Sequence, residues 1–266
     1  MFVWDPALLA VILLLGAVFG SAATVFCYRI PREIPLGLFS NVRSRCPSCE
    51  TVIPWHRNVP LLSYLVLRGR CGSCQAPIPL RYFLIELLTT LLFGATYLVY
   101  ANSTQPLVET WAWWAELVKL LYFAFSIVCI VFIDIEFRII PDRFSLGNWI
   151  VALVASFVWS EPPIWDSLLG CLFGFGVFFL LAWGFERLKG KEGLGFGDVK
   201  MMGWLGAWVG FWAVPFTILS ASITGLLAGV VAMRTSRDGL STAIPFGPFL
   251  AIGAYASWAL KTLGLF

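Results

Sequence analysis

The sequence predicts an all-α polytopic membrane protein with about eight transmembrane helices and a small cytoplasmic zinc-binding loop domain. Of the 266 residues, 59% are hydrophobic and only 12% are charged, whereas about 25% of the residues in a soluble domain are charged. The apolar residues are gathered into eight runs that are separated by polar connections. We therefore interpret each run as a membrane helix.

The first apolar run, residues 7–26, has no charge in twenty positions and is long enough to cross a bilayer. A cleaved signal peptide begins with basic residues, but the only charged residue before this run is Asp5, so we expect the run to remain as a helix. The other seven runs occupy residues 82–100, 112–133, 144–160, 165–185, 199–212, 214–233 and 246–263. Of these, the run at 199–212 is short and almost continuous with the run at 214–233.

Basic residues are concentrated on one side of this predicted topology. The connections at 27–81, 134–143, 186–200 and 234–240 contain 8, 2, 4 and 2 basic residues, which is 16 of the 18 Lys and Arg residues in the chain. Cytoplasmic connections of membrane proteins carry an excess of Lys and Arg. We therefore expect these four connections in the cytoplasm and both termini on the periplasmic side.

The segment 27–81 differs in composition from the rest of the chain. It contains eight arginines but only two acids, Glu33 and Glu50, and it is rich in Pro, Gly and Ser. This composition indicates a small, loop-rich domain outside the bilayer. The predicted organisation is a first helix at 1–26, this cytoplasmic domain at 27–81, and a transmembrane domain at 82–266.

Two Cys-x-x-Cys pairs lie in this cytoplasmic segment, and they consist of Cys46 with Cys49 and Cys71 with Cys74. Each pair offers two thiolates, and two pairs complete a tetrahedral structural zinc site with no open position. Disulfides are disfavoured in a reducing compartment, so a set of unliganded thiols is the alternative. We predict that the four cysteines bind Zn²⁺ and that the metal stabilises this small domain.

We do not expect the one histidine or the other three cysteines to bind the metal. His56 is the only histidine, and we expect it on the loop surface because four thiolates already complete a zinc site. Cys27, Cys129 and Cys171 lie in or beside apolar runs. We expect them to pack as small apolar residues.

Asp134 directly follows the apolar run at 112–133, at its predicted cytoplasmic end. An acid at the membrane edge can be a charge that extends to the headgroups, but the Asp side chain is too short to reach far. Charge at this depth is costly and usually functional, so we predict a catalytic role for Asp134. Pro141 then prevents the helix from continuing, and Asp142 is expected to cap the next helix.

A glycine-rich segment, Gly195-Phe196-Gly197-Asp198, begins another apolar run on the same predicted side and at the same depth. Asp198 can be an N-cap of that helix, and this does not exclude a catalytic role. Two carboxyls in a partly desolvated site share one proton, so that one acts as a general base on water and the other hydrogen-bonds the carbonyl. The pattern predicts aspartyl-protease chemistry by Asp134 and Asp198. Neither a Gly-x-Ser-x-Gly nor a His-Glu-x-x-His motif is present.

Two other function classes fit parts of the pattern. A proton-coupled transporter also uses intramembrane carboxylates as proton relays, but its relay is expected near the bilayer midplane, and no inverted repeat is visible. A membrane scaffold with a zinc loop would account for the cysteines but not for the two aspartates.

The chain resembles the type IV prepilin leader peptidases, a family of intramembrane aspartyl proteases that are also N-methyltransferases. Thr24 departs from the family pattern, because it stands where the family usually has Asn. The matching motifs extend over most of the chain, at residues 20–21, 28–31, 45–49, 58–64, 67–71, 77–78, 81–82, 86–87, 134–142, 191–200 and 244–249.

This resemblance implies that Asp134 and Asp198 cleave the basic leader from prepilins or pseudopilins of type IV pilus or type II secretion systems, at the cytoplasmic face of the bacterial inner membrane. It also implies methylation of the new N-terminus with S-adenosylmethionine, by a region that includes the cysteine loop. No glycine-rich loop identifies the residues that bind this cofactor. Glu136, Glu192 and Asp142 are candidates for recognition of the basic leader. The expected partners are these substrates and the lipid bilayer, without nucleic acid, and the oligomeric state is not predicted.

Overall fold

The computed structural model describes residues 4–36, 44–103, 110–158, 161–190, 193–235 and 244–265. These residues contain no β-strand and form nine α-helices. The helices are α1 Pro6–Arg29, α2 Leu62–Val66, α3 Leu80–Ser103, α4 Trp111–Phe137, α5 Leu146–Val158, α6 Ile164–Lys189, α7 Phe196–Val209, α8 Val214–Thr235 and α9 Gly247–Thr262.

Each of the eight apolar runs coincides with a helix, and only the short α2 lies outside them. The helix ends follow local chemistry. Asp5 accepts a hydrogen bond from the Ala7 N–H at 2.8 Å before Pro6 begins α1. Gly190 adopts φ +62° directly after α6, a conformation that glycine takes without steric cost.

Five of these segments are long and apolar enough to cross a membrane, so the chain is an all-helical, multi-pass membrane protein. Helices α5, α7 and α9 have 13, 14 and 16 residues, and about 20 apolar residues are needed for a span. The prediction of about eight spans is therefore not confirmed. The five candidate spans are Pro6–Arg32, Leu80–Ser103, Trp111–Phe137, Ile164–Lys189 and Phe211–Arg234.

The chain divides into two compact units. Unit 1 comprises Met1–Pro106 and Leu120–Cys129, and within it α1 packs along α3. The two helices approach closely because Gly16 and Gly20 have no side chain. A Cβ at Gly20 would lie only 2.7 Å from the Glu86 Cα atom. The segment 44–79 of this unit carries the four predicted zinc ligands.

Unit 2 comprises Leu107–Lys119 and Ile130–Phe266. In this unit α6 packs along α7, and α8 packs along α9. Residues 201–210 are all buried, and Trp204 is fully buried, as expected for a helix that is apolar on all its faces. The short α7 is therefore the centre of unit 2, and its first turn carries Asp198.

Candidate functional site

Asp134 lies in the last turn of α4. The helix ends just beyond it because Arg138 adopts the left-handed conformation, with φ +55°, and its N–H donates to the Asp134 carbonyl oxygen at 2.9 Å. The Asp134 side chain is only 5% exposed. Its Oδ2 accepts a hydrogen bond of 2.9 Å from the backbone N–H of Gly247, which is the first residue of α9.

Asp198 lies in the first turn of α7, where Gly195 is the N-cap and accepts a hydrogen bond from the Asp198 N–H at 3.0 Å. Asp198 is therefore not the N-cap itself. Gly197 packs against Ile140, because a Cβ at Gly197 would lie 3.2 Å from the Ile140 Cβ. This contact brings the segment after α4 to the beginning of α7.

Asp134 and Asp198 both belong to unit 2, and the contact between Ile140 and Gly197 joins the segment after Asp134 to the turn that carries Asp198. Both carboxyls also lie at helix N-termini, since Asp134 accepts the first N–H of α9 and Asp198 belongs to the first turn of α7. The N-terminal end of a helix carries a partial positive charge that stabilises an anion. The two helix ends therefore favour negative charge on these carboxyls.

The Asp142 side chain has a different partner from the one expected. Helix α5 begins at Leu146, so the prediction that Asp142 is its N-cap is wrong. The carboxylate of Asp142 instead forms an ion pair with Lys200. Lys200 is fixed in turn, because its carbonyl oxygen accepts a 2.7 Å hydrogen bond from the Trp149 indole.

The other candidates for leader recognition are placed as follows. Glu136 is exposed in the last turn of α4. Glu192 lies outside the residues that the structure describes.

The four predicted zinc ligands come together in unit 1. The sulfur atoms of Cys46, Cys49, Cys71 and Cys74 all lie within 4.8 Å of one another. The Cys46 and Cys74 sulfurs are 3.9 Å apart, which is close to the edge of about 3.8 Å that a tetrahedron of four thiolates around Zn²⁺ requires. This donor set fits a structural zinc ion, and the four cysteines would hold it.

The two Cys-x-x-Cys pairs form the same kind of turn. In the first turn, the N–H of Cys46 donates to the carbonyl oxygen of Thr51 at 3.1 Å. In the second turn, the N–H of Cys71 donates to the carbonyl oxygen of Ala76 at 2.8 Å. The residue after the second cysteine adopts positive φ in both turns, at Glu50 and Gln75. Each turn therefore directs two sulfurs toward the same point.

The environment of the thiols also suits a metal. Hydrogen bonds from the backbone N–H groups of Cys74 and Ser73 lower the pKa of the Cys71 thiol to about 6. For Cys74, the backbone N–H of Ala76 favours the thiolate, but the neighbouring Cys49 thiol and desolvation outweigh it and raise the pKa to about 11. Four thiolates therefore coexist here most readily around a cation.

His56 is exposed and lies outside the cysteine cluster, so its predicted surface position is confirmed. The other three cysteines, Cys27, Cys129 and Cys171, are buried as expected.

The glycines that position Asp134 and bring α6 and α7 together were not predicted from the sequence. Gly247 was noted only as part of a matching motif, although its N–H holds Asp134. No role was predicted for Gly170 and Gly206 either. A Cβ at either position would overlap the carbonyl oxygen of the other, so these glycines bring α6 and α7 together. The spacing Gly170-x-x-x-Gly174 in an apolar helix was the available signal.

The fold and the site define a helical membrane protein in which two aspartates, Asp134 and Asp198, lie at the ends of different helices of one unit. The chain belongs to the type IV leader peptidase family. The model of that family matches residues 120–230, which include both aspartates. A second model, the bacterial peptidase A24 N-terminal domain, matches residues 14–100, which include the four cysteines.

Several curated relatives are similar to this chain over most of its length, and each is named prepilin leader peptidase/N-methyltransferase. The relative from Aeromonas salmonicida strain A449 is 38% identical over 83% of this chain and 75% of its own length. The relative from Pseudomonas aeruginosa PAO1 is 33% identical over 91% and 87%. The relative from Dickeya chrysanthemi is 32% identical over 96% and 94%. No solved structure matches the chain.

Proposed function

We propose that this protein removes the leader peptide from type IV prepilins or pseudopilins and then methylates the new N-terminus. The relatives' names and the family assignment support both reactions. The observation that carries the peptidase assignment is the placement of buried Asp134 and of Asp198 at helix ends that the contact between Ile140 and Gly197 brings together in unit 2.

The hydrolysis uses the two carboxyls in complementary states. The ionised carboxylate takes a proton from a water molecule, whose oxygen attacks the carbonyl carbon of the scissile peptide. The protonated carboxyl donates a hydrogen bond to the carbonyl oxygen. The carboxyl that took the proton from water then passes it to the amide nitrogen, the C–N bond breaks, and the leader is released as a carboxylic acid with the new amine of the mature chain. The pair titrates as a unit, so neither residue is assigned one state. The rate should fall on both sides of a pH optimum.

The location of the pair suits the proposed substrate. Both aspartates lie at helix ends rather than in the middle of a span, which favours a peptide bond at the membrane surface over a proton relay at the midplane. A prepilin leader is basic and precedes an apolar helix, so its cleavage site lies where that helix leaves the bilayer. We place this surface on the cytoplasmic side of the inner membrane, with both termini periplasmic, because the predicted connections there carry 16 of the 18 basic residues.

Methyl transfer requires a methyl donor, and we propose S-adenosylmethionine. The tetracysteine domain, with Zn²⁺ as a structural ion, is proposed to belong to the methyl-transfer part of the chain. It lies in the region matched by the N-terminal family model, apart from the region that contains the aspartates.

Replacement of each aspartate tests the peptidase assignment. Asp134→Asn and Asp198→Asn keep the side-chain shape but remove the general base and the shared proton, so cleavage of a prepilin peptide by purified protein should fall by more than about 1,000-fold. Methylation of a pre-cleaved peptide should persist in both variants. Glu186→Gln, at an exposed acid near the end of α6, is the matched control. Cleavage at the normal rate by either aspartate variant would overturn the assignment.

A further inference from the structure

Unit 1 contains a cavity of about 1030 Å³ between α1, residues 44–79 and the beginning of α3. Residues 44–79, which carry the four cysteines, are called the tetracysteine segment below. Cavities that bind small molecules are usually about 300–1,000 Å³, so this one is large enough for a cofactor. Its lining extends from Val18 to Glu86 and therefore lies within residues 14–100, which the N-terminal family model matches. The two aspartates lie in the other matched region, so the proposed cleavage does not account for this cavity.

A single acid lines the helical wall of the cavity. Glu86 is half-buried, and its Oε2 accepts a hydrogen bond of 2.7 Å from the N–H of Leu61. Ser21 of α1 lines the cavity together with Glu86. Within the described part of the chain, no Lys or Arg forms an ion pair with Glu86. A carboxylate has about four acceptor positions, so Glu86 retains capacity for a ligand, and an unpaired, half-buried negative charge favours a cationic one.

The rest of the lining contains one further acid, Glu50, together with arginines and aromatic rings. Three arginines, Arg29, Arg45 and Arg57, line the cavity. The rings of Tyr64 and Phe83 also line it and pack with their centroids 5.2 Å apart. The lining therefore suits a ligand that combines a cationic centre, a carboxylate and a planar aromatic base.

We propose that this cavity binds S-adenosylmethionine and that Glu86 lies beside its sulfonium centre. The proposal rests on the methyl-transfer part of the proposed function. S-adenosylmethionine carries a sulfonium cation, an amino-acid carboxylate and an adenine base, which match the three kinds of group in the lining. When bound, it supplies the methyl group and leaves as S-adenosylhomocysteine.

The packing around Glu86 keeps its carboxylate in the cavity. Gly20 of α1 lies directly against the Glu86 backbone, and the N–H of Leu61 in the tetracysteine segment holds the side chain. Thr24 also lines the cavity, but its hydroxyl donates to the Ser21 carbonyl oxygen at 2.7 Å. Glu86 is therefore the group in this wall that is able to distinguish a charged sulfur from a neutral one.

The location of the cofactor is tested without any substitution. The purified full-length protein is irradiated with tritiated S-adenosylmethionine, and the labelled peptides are mapped by mass spectrometry. Label within residues 18–86 that is displaced by S-adenosylhomocysteine supports the proposal. Label within residues 120–230 would overturn it and leave methyl transfer intact. Absence of both labelling and methyl incorporation would overturn the proposal together with the methyl-transfer assignment.

The role of Glu86 is tested by comparing two ligands that differ by one methyl group and one positive charge. Glu86→Gln retains a hydrogen-bond acceptor for Leu61 but removes the negative charge. The affinity for S-adenosylmethionine should fall about tenfold, while the affinity for S-adenosylhomocysteine, whose sulfur is neutral, should stay within about twofold. An equal loss for both ligands, or no loss for either, would overturn the role of Glu86. The control is Glu33→Gln, at an exposed acid outside the cavity lining, and the zinc content of each variant reports the folding of unit 1.

Discussion

The tetracysteine segment of unit 1 and the carboxylate pair of unit 2 are both small polar centres, but different interactions hold them. Among residues 44–79, all of which the structure describes, only Cys46 is buried. In α7, by contrast, residues 201–209 are all buried. A segment with so little core depends on turns and on bound metal, whereas a helical site depends on the close approach of its helices.

This difference means that the two centres should fail for different reasons. A substitution that separates helices should destroy the carboxylate pair and leave the cysteines able to bind zinc. A substitution that removes a thiol should have the reverse effect.

The largest effect is expected from Gly170→Leu, because any side chain at Gly170 would overlap the carbonyl oxygen of Gly206 in α7. The helices α6 and α7 would have to separate, at a cost of about 3 kcal/mol. Cleavage should be lost with the displacement of Asp198, and the thermal unfolding temperature in detergent should fall. Zinc content should not change.

The matched control is Gly176→Leu in the same helix, since a Cβ at Gly176 has no atom within 4 Å. It should retain cleavage and stability. If Gly176→Leu were as damaging as Gly170→Leu, the harm would come from leucine in α6 generally, and the contact with Gly206 would not explain it.

A smaller and separate effect is expected from Cys71→Ser, which removes one of the four thiols. Zinc measured by mass spectrometry should fall from one ion per chain to nearly none, and methyl incorporation should fall by more than about 100-fold. Prepilin cleavage should stay within about twofold, because the carboxylate pair is held by helices of unit 2.

Ser73→Ala is the control for this substitution, because Ser73 interacts with the Cys71 sulfur through its backbone N–H, which alanine retains. A parallel loss of cleavage and zinc in Cys71→Ser would contradict the separation of the two centres. Retention of zinc by that variant would contradict the four-thiolate site.

The parts of the fold that follow from composition were predictable. Long apolar runs have no other low-energy state in a bilayer than a helix, and all eight became helices. The number of runs that cross the membrane was not predictable. Helix α7, for example, is buried inside unit 2 and is therefore able to be short. The pairs of Cys-x-x-Cys were also predictable, since the spacing itself places two sulfurs in one turn.

The contacts between distant segments were not predictable from one sequence. The cap expected at Asp142 was wrong because α5 begins only at Leu146, and the Asp142 carboxylate instead pairs with Lys200, 58 positions away. The hydrogen bond from Gly247 to Asp134 spans 113 positions. Such partners are selected by how the helices pack, which local propensity does not determine.

The finest effect is expected from Gly247→Ala, which probes the carboxylate pair without separating helices. A Cβ at this position would lie 2.6 Å from Asp134 Oδ2, so the carboxylate must turn away from the N–H that holds it. Cleavage should become about tenfold slower in kcat, which corresponds to about 1.4 kcal/mol, while KM for the prepilin peptide and zinc content stay unchanged. Global stability should change by less than about 1 kcal/mol.

Gly229→Ala in α8 is the control, because a Cβ there would make only an ordinary contact of 3.9 Å with Ile244. A normal kcat in Gly247→Ala would mean that the hydrogen bond to Asp134 does not position the catalytic carboxylate. A rise in KM alone would instead place Gly247 in peptide binding. The predicted pattern, a slower chemical step with unchanged binding, follows only if the N-terminus of α9 orients Asp134 toward the bond that is cleaved.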